Sequence, residues 1–110
     1  MNVFEPIMEA DSVLIIIKVK IIDREKFMEY VVGHLPSIEQ YGGKIIFEGA
    51  ERHSYESPEE DYHLCVIQKW DSKAVFDTWW DSEEYKPWKE MRHLGAEVKL
   101  ELIKQRAMNH

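Results

Sequence analysis

The chain is short of covalent staples. Its 110 residues include one cysteine, Cys65. A lone thiol makes no internal disulfide, so stability has to come from a packed core, and the reading is a reducing, cytoplasmic setting. Long apolar runs are missing too. The longest, Val13 to Ile17, falls far below the roughly 20 residues a membrane helix needs. Basic charge is in deficit, 14 Lys and Arg against 21 Asp and Glu, for a formal net charge of -7. That balance repels phosphate backbones and anionic lipid, so neither nucleic acid nor membrane is expected as a partner. The first twelve residues carry three acids and no base, which is not a signal peptide. No glycine-rich phosphate loop, serine elbow or haem-attachment motif occurs. His53, His63 and His93 have no ligand spacing with an acid or with Cys65, so neither a metal nor another cofactor is expected.

What is present is apolar and aromatic. Hydrophobic residues make up 45% of the chain, enough for one core and no second domain. Much of the aromatic surface gathers at Trp79-Trp80-Asp81-Ser82-Glu83-Glu84-Tyr85. Two adjacent tryptophans are costly to leave in water, and the acid and hydroxyl after them can cap a helix. The stretch reads as a helix end, a tight corner and a second helix start. Residues 1–12 read as an extended arm, with Val3, Phe4, Ile7 and Met8 able to dock on a neighbouring surface. Residues 13–104 form the domain, and 105–110 a frayed tail.

Within the domain, Val13 to Ile22 is β-branched and alternating, hence a strand. Val13, Ile15, Ile17, Val19 and Ile21 share one face; Leu14, Ile16, Lys18 and Lys20 share the other. Asp23 can cap a helix carrying Phe27, Tyr30, Val31, His34, Leu35, Ile38 and Tyr41 at three- and four-residue spacing. Pro36 predicts a kink in it, and Gly42-Gly43 its end. Lys44 to Ala50 reads as a strand with Ile45 and Phe47 on one face and Ile46 and Glu48 on the other. An acidic loop leads to a third strand, Tyr62 to Trp70. Asp71 or Ser72 then caps a helix with Val75, Phe76 and Trp79. Pro87 suits the first turn of another helical piece, and Val98 to Ile103 is the last strand.

Strand, helix, strand, strand, helix, strand is the α+β, ferredoxin-like βαββαβ order: a four-stranded antiparallel sheet with its helices on one face. The expected spatial order is 4-1-3-2, with Val13–Ile21 and Tyr62–Trp70 central. The other sheet face stays open, and Leu14, Ile16 and Ile46 on it are a liability in a monomer. Lys18 and Lys20 are expected at its rim, or paired with acids such as Glu48.

Tyr30 through Pro36, Tyr41-Gly42-Gly43, Trp70-Asp71-Ser72, the Trp79-to-Tyr85 stretch and Arg92 together resemble the DUF1330 family, from about Val13 to about Ile103. The resemblance implies a dimeric α/β barrel, two chains pairing through their open sheet faces. It also implies a group that includes cofactor-free monooxygenases, haem-degrading enzymes and lactone isomerases. It implies no particular activity, since the family is by name of unknown function.

For chemistry, His34 on the apolar stripe with Tyr30 is the candidate general base or acid, its pKa lying near neutral. The bland alternative is a buried histidine bonded to a neighbour. Tyr85 and Arg92 lie seven apart and face the same way, and Arg92 can clamp a substrate carboxylate; the alternative is an ion pair to Glu84, Glu90 or a partner chain. Trp79, Trp88 and Tyr41 complete the candidate ligand-binding set, with Trp79, Trp80 and Trp88 otherwise plain core. Two functions stay open. One is a small-molecule enzyme of the cofactor-free monooxygenase or isomerase type. The other is a non-catalytic dimeric module that binds a metabolite or a protein.

Overall fold

The structure, a computed structural model, describes residues 8–106. The arm expected over residues 1–12 therefore lies mostly outside the described residues, as does most of the tail. The order is β1 (Val13–Ile21), α1 (Arg24–Gln40), β2 (Lys44–Gly49), β3 (Leu64–Trp70), α2 (Lys73–Trp80), α3 (Lys86–Gly95) and β4 (Ala96–Lys104). The four strands pair antiparallel in the order β2-β3-β1-β4, so β1 and β3 are central. This is the expected ferredoxin-like sheet. No described helix is long and apolar enough to cross a membrane.

Local chemistry sets the boundaries. Asp23 accepts from the Lys26 amide at 3.1 Å and starts α1. The helix continues through Pro36, which is exposed. The carbonyl of Val32 that the proline leaves unpaired lies on the same solvent side, where Val32 is 69% exposed and water can serve it. Gly42, at φ 89°, takes the left-handed turn out of α1. Ser72, not Asp71, caps α2, accepting from Val75 at 3.1 Å. At the aromatic corner, Ser82 Oγ donates to the Trp79 carbonyl and accepts from the Tyr85 amide, which links α2 to α3.

The core lies between the helices and one sheet face. It contains Val13, Ile15, Val19, Phe27, Ile38, Trp70, Phe76 and Trp79. Leu35, expected on the buried stripe of α1, is exposed at the edge of that layer. Pairing registers put Leu64, Val66, Gln68 and Trp70 on the helix side with Val13 to Ile21, and Cys65, Ile67 and Lys69 on the open side. β2 departs from plain alternation. Ile45 pairs with Gln68 and Phe47 with Ile67, so Ile46 is an extra, unpaired residue. The bulge shifts the parity. Phe47 turns to the open face, and Glu48, opposite Val66, turns to the helix side. The expected grouping of Ile45 with Phe47 and Ile46 with Glu48 is therefore corrected. So is the expected pairing of Glu48 with the β1 lysines. Lys18 binds Glu60 at 2.6 Å and Lys20 binds Asp61 at 2.7 Å, both acids coming from the loop before β3.

Candidate functional site

Helix α1 does not seal the sheet. Between them lies a small cavity of about 60 Å³, partly open to solvent. Ile17, Val19, Val66 and Val98 give it an apolar floor, and Tyr30, His34, Gln68, Arg92 and Glu48 give it polar groups. That is the composition of a ligand site, an apolar body with a few converging polar groups.

His34 sits one turn after Tyr30 on the buried stripe of α1 and stacks on it, ring centroids 4.0 Å apart. Its Nδ1 lies 2.7 Å from the Tyr30 carbonyl and 3.1 Å from that of Val31. Carbonyls only accept, so Nδ1 carries the hydrogen, and in the neutral ring Nε2 holds a free lone pair. Nε2 has no partner among the described residues and is not among the sealed, unpaired atoms, so it keeps contact with the cavity. Burial lowers the His34 pKa, and the two carbonyl bonds oppose that shift in part. The ring is thus held neutral around pH 7, with its acceptor nitrogen available.

The phenols and the guanidinium form a chain. Arg92 Nη1 donates to Tyr85 Oη at 3.1 Å, and the Tyr85 and Tyr30 hydroxyls are 2.9 Å apart. Burial raises both tyrosine pKa values, so both stay protonated as donors. When Tyr85 donates to Tyr30, the Tyr30 proton is left for a third group, with the guanidinium polarising the chain from behind. Arg92 is 7% exposed. It forms no ion pair among the described residues, with Glu84, Glu90 or any other acid, and its Nε is sealed without an acceptor. A buried guanidinium without a carboxylate is costly, and it is the feature of the cavity that most calls for an anion.

The expected residues do not all converge. Tyr30, His34 and Arg92 line the cavity. Tyr85 stands one hydrogen bond behind it. Trp79 is core, stacked on Tyr85 at 3.9 Å and donating from Nε1 to Ser37 Oγ at 2.9 Å. Trp88 packs against Gly33 between α1 and α3. Tyr41 reaches outward and donates to Glu84 at 2.7 Å. Two cavity residues were not anticipated. Gln68 had a signal, since it interrupts the apolar alternation Leu64, Val66, Trp70. Glu48 had none, because only the bulge brings it there.

The open sheet face carries a second depression, lined by Lys18, Lys20, Glu60 and Asp61. Its cations and anions already satisfy one another, so nothing there calls for a ligand. No group of three or more His, Cys, Asp or Glu able to hold a metal occurs among the described residues.

Comparison with solved structures places the fold among proteins of mixed description. The RPA0582 protein of unknown function from Rhodopseudomonas palustris superposes with a TM-score of 0.77 at 18% identity, covering 90% of this chain and 85% of that one. SnoaB from Streptomyces nogalater, described as a cofactor-independent oxygenase, gives 0.66 at 13% identity, covering 89% and 96%. A dimeric protein of unknown function and ferredoxin-like fold from Bacteroides fragilis gives 0.54 at 13% identity, covering 86% and 96%. At such identities the likeness speaks for the fold. No curated protein matches the chain. The family described as "Domain of unknown function (DUF1330)" matches residues 12–105, and the chain belongs to that family.

Proposed function

We propose that the cavity between α1 and the sheet binds a small, largely apolar carboxylate, and that the protein is a cofactor-free enzyme acting on it by proton transfer. The observation that carries this reading is Arg92, a buried guanidinium with no ion pair among the described residues, on the wall of a cavity. Nη2 makes no hydrogen bond among the described residues and is not sealed, so a ligand carboxylate in the cavity can reach it and supply the guanidinium's missing counter-charge.

The reaction follows from His34 and Tyr30. His34 Nε2 takes a proton from a carbon next to a carbonyl group. The C–H electron pair moves into the carbonyl, and the resulting enolate oxygen accepts from the Tyr30 hydroxyl. Return of the proton from Nε2 to a different atom completes an isomerisation with no other reactant. With dioxygen as co-reactant, the enolate carbon would give its electron pair to O2 instead, forming a C–O bond, and the peroxide anion so formed would take the proton from Nε2 to leave a hydroperoxide. The oxygenase description of SnoaB bears on that branch only through a shared fold.

The second reading, a non-catalytic dimeric module that binds a metabolite or a protein, has one observation in its favour: the Tyr30 hydroxyl is already engaged by Tyr85. In either reading we infer a homodimer through the open sheet faces, where Leu14, Ile16 and Ile67 are only half-buried and Phe47 is 52% exposed. The bulge thus contributes Phe47 to this surface. A cytoplasmic location rests on the free Cys65 thiol. The net charge of -7 argues against nucleic acid and anionic lipid as partners.

The test uses phenylpyruvate as an enolisable aromatic keto acid, followed by NMR in D2O. Wild-type protein should speed exchange of its methylene protons at least about a hundredfold over His34→Gln, the low end for a positioned base. Binding without any acceleration would favour the non-catalytic module.

A further inference from the structure

The bulge at Ile46 has no role in the anion site, yet it alone decides what stands at the outer end of the same cavity. Unbroken alternation from Ile45 would send Glu48 to the open sheet face. With Ile46 unpaired, Glu48 lies opposite Val66 on the helix side and joins Ile45, Val66 and Leu35 in the lining. Bulges next to sites commonly re-aim a side chain in this way. The carboxylate of Glu48 is exposed and makes no ion pair or side-chain hydrogen bond among the described residues. The cavity therefore presents two charges of opposite sign, neither in an ion pair among the described residues. One is the buried Arg92 guanidinium on α3, and the other is Glu48 on the edge strand β2, both in a lining that is otherwise mostly apolar.

We propose that Glu48 selects the outer end of the ligand, so that the cavity takes a zwitterionic small molecule: a carboxylate held by Arg92, an apolar body, and an ammonium group facing Glu48. This inference rests on the anion site proposed above and adds the second charge. Burial separates the two contacts in kind. Arg92 is desolvated and supplies affinity, whereas Glu48 stands in water and supplies selectivity of a severalfold size.

Three probes share one carboxylate-bearing ring: 4-methylbenzoate, 4-(aminomethyl)benzoate and benzene-1,4-dicarboxylate. Their dissociation constants are measured by titration calorimetry at low salt. Wild type should bind the aminomethyl probe about threefold to fivefold tighter than the methyl probe, the scale of an exposed ion pair. Glu48→Gln should erase that difference and leave the methyl probe unchanged. Glu48→Lys should turn the preference toward the dicarboxylate, a reversal that a merely structural role would not produce. Equal binding of the methyl and aminomethyl probes by wild type would overturn the zwitterion proposal and leave the anion site standing. Failure of all three carboxylates to bind wild type would overturn the anion site, and the zwitterion proposal with it.

Discussion

Trp79 shows how much one side chain can organise. It is 1% exposed, stacks on Tyr85 and bonds Ser37 across to α1. Trp79→Ala should therefore cost about 3 to 5 kcal/mol in urea denaturation, the range for a large aromatic leaving a core; a loss under about 1 kcal/mol would make it peripheral. His34 gives a pH signature. Its folded pKa is lowered by burial, so below about pH 6.5 the unfolded chain binds the proton first. Its contribution is intact above that pH and is lost as pH falls toward the lowered folded value. The urea midpoint should drop between pH 7.5 and 5.5, a window above the carboxylate range. His34→Gln should flatten part of the drop; an unchanged slope would show that His34 does not cause it.

At the scale of elements, the helices meet closely. A Cβ on Gly33 would collide with the Trp88 ring. Alanine for glycine inside a helix ordinarily gains about 1 kcal/mol. Here the overlap should reverse the sign, with Gly33→Ala losing about 1 to 2 kcal/mol. Adding Trp88→Leu should relieve that penalty in a double-mutant cycle, and simple additivity of the two changes would contradict the close packing. The same scale divides what the sequence made legible from what it hid. Strand order, central strands and the aromatic corner followed from alternation, caps and spacing, because burial of one face imposes those patterns. Within β2, Ile45, Ile46 and Phe47 are all apolar, so alternation carries no parity there and the bulge left no trace. The grouping of Tyr30, His34 and Arg92 was partly visible as helical spacing. That Trp88 and Tyr41 sit away from the cavity depends on how α3 crosses α1, which spacing within one helix does not encode.

Taken whole, the chain is a slab. Its Cα extents are 50 × 38 × 16 Å and its radius of gyration is 15.5 Å, against about 13 Å for a compact chain of this length. Two layers leave one sheet face without a helix, and that face is the contact in the dimer proposed above. Sedimentation at micromolar concentration should give a dimer that Ile16→Glu dissociates; a wild-type monomer, or a dimer indifferent to the glutamate, would place the contact elsewhere. The functional account stands on the anion partner that Arg92 lacks. Its most direct measurement is calorimetric titration of 4-methylbenzoate into wild type and Arg92→Met, alongside a thermal melt of each without ligand. The methionine variant should melt at or above wild type, because a buried charge without an ion pair has been removed, and should bind the carboxylate at least about tenfold more weakly. Equal binding by the two proteins, or no binding by wild type, would contradict it.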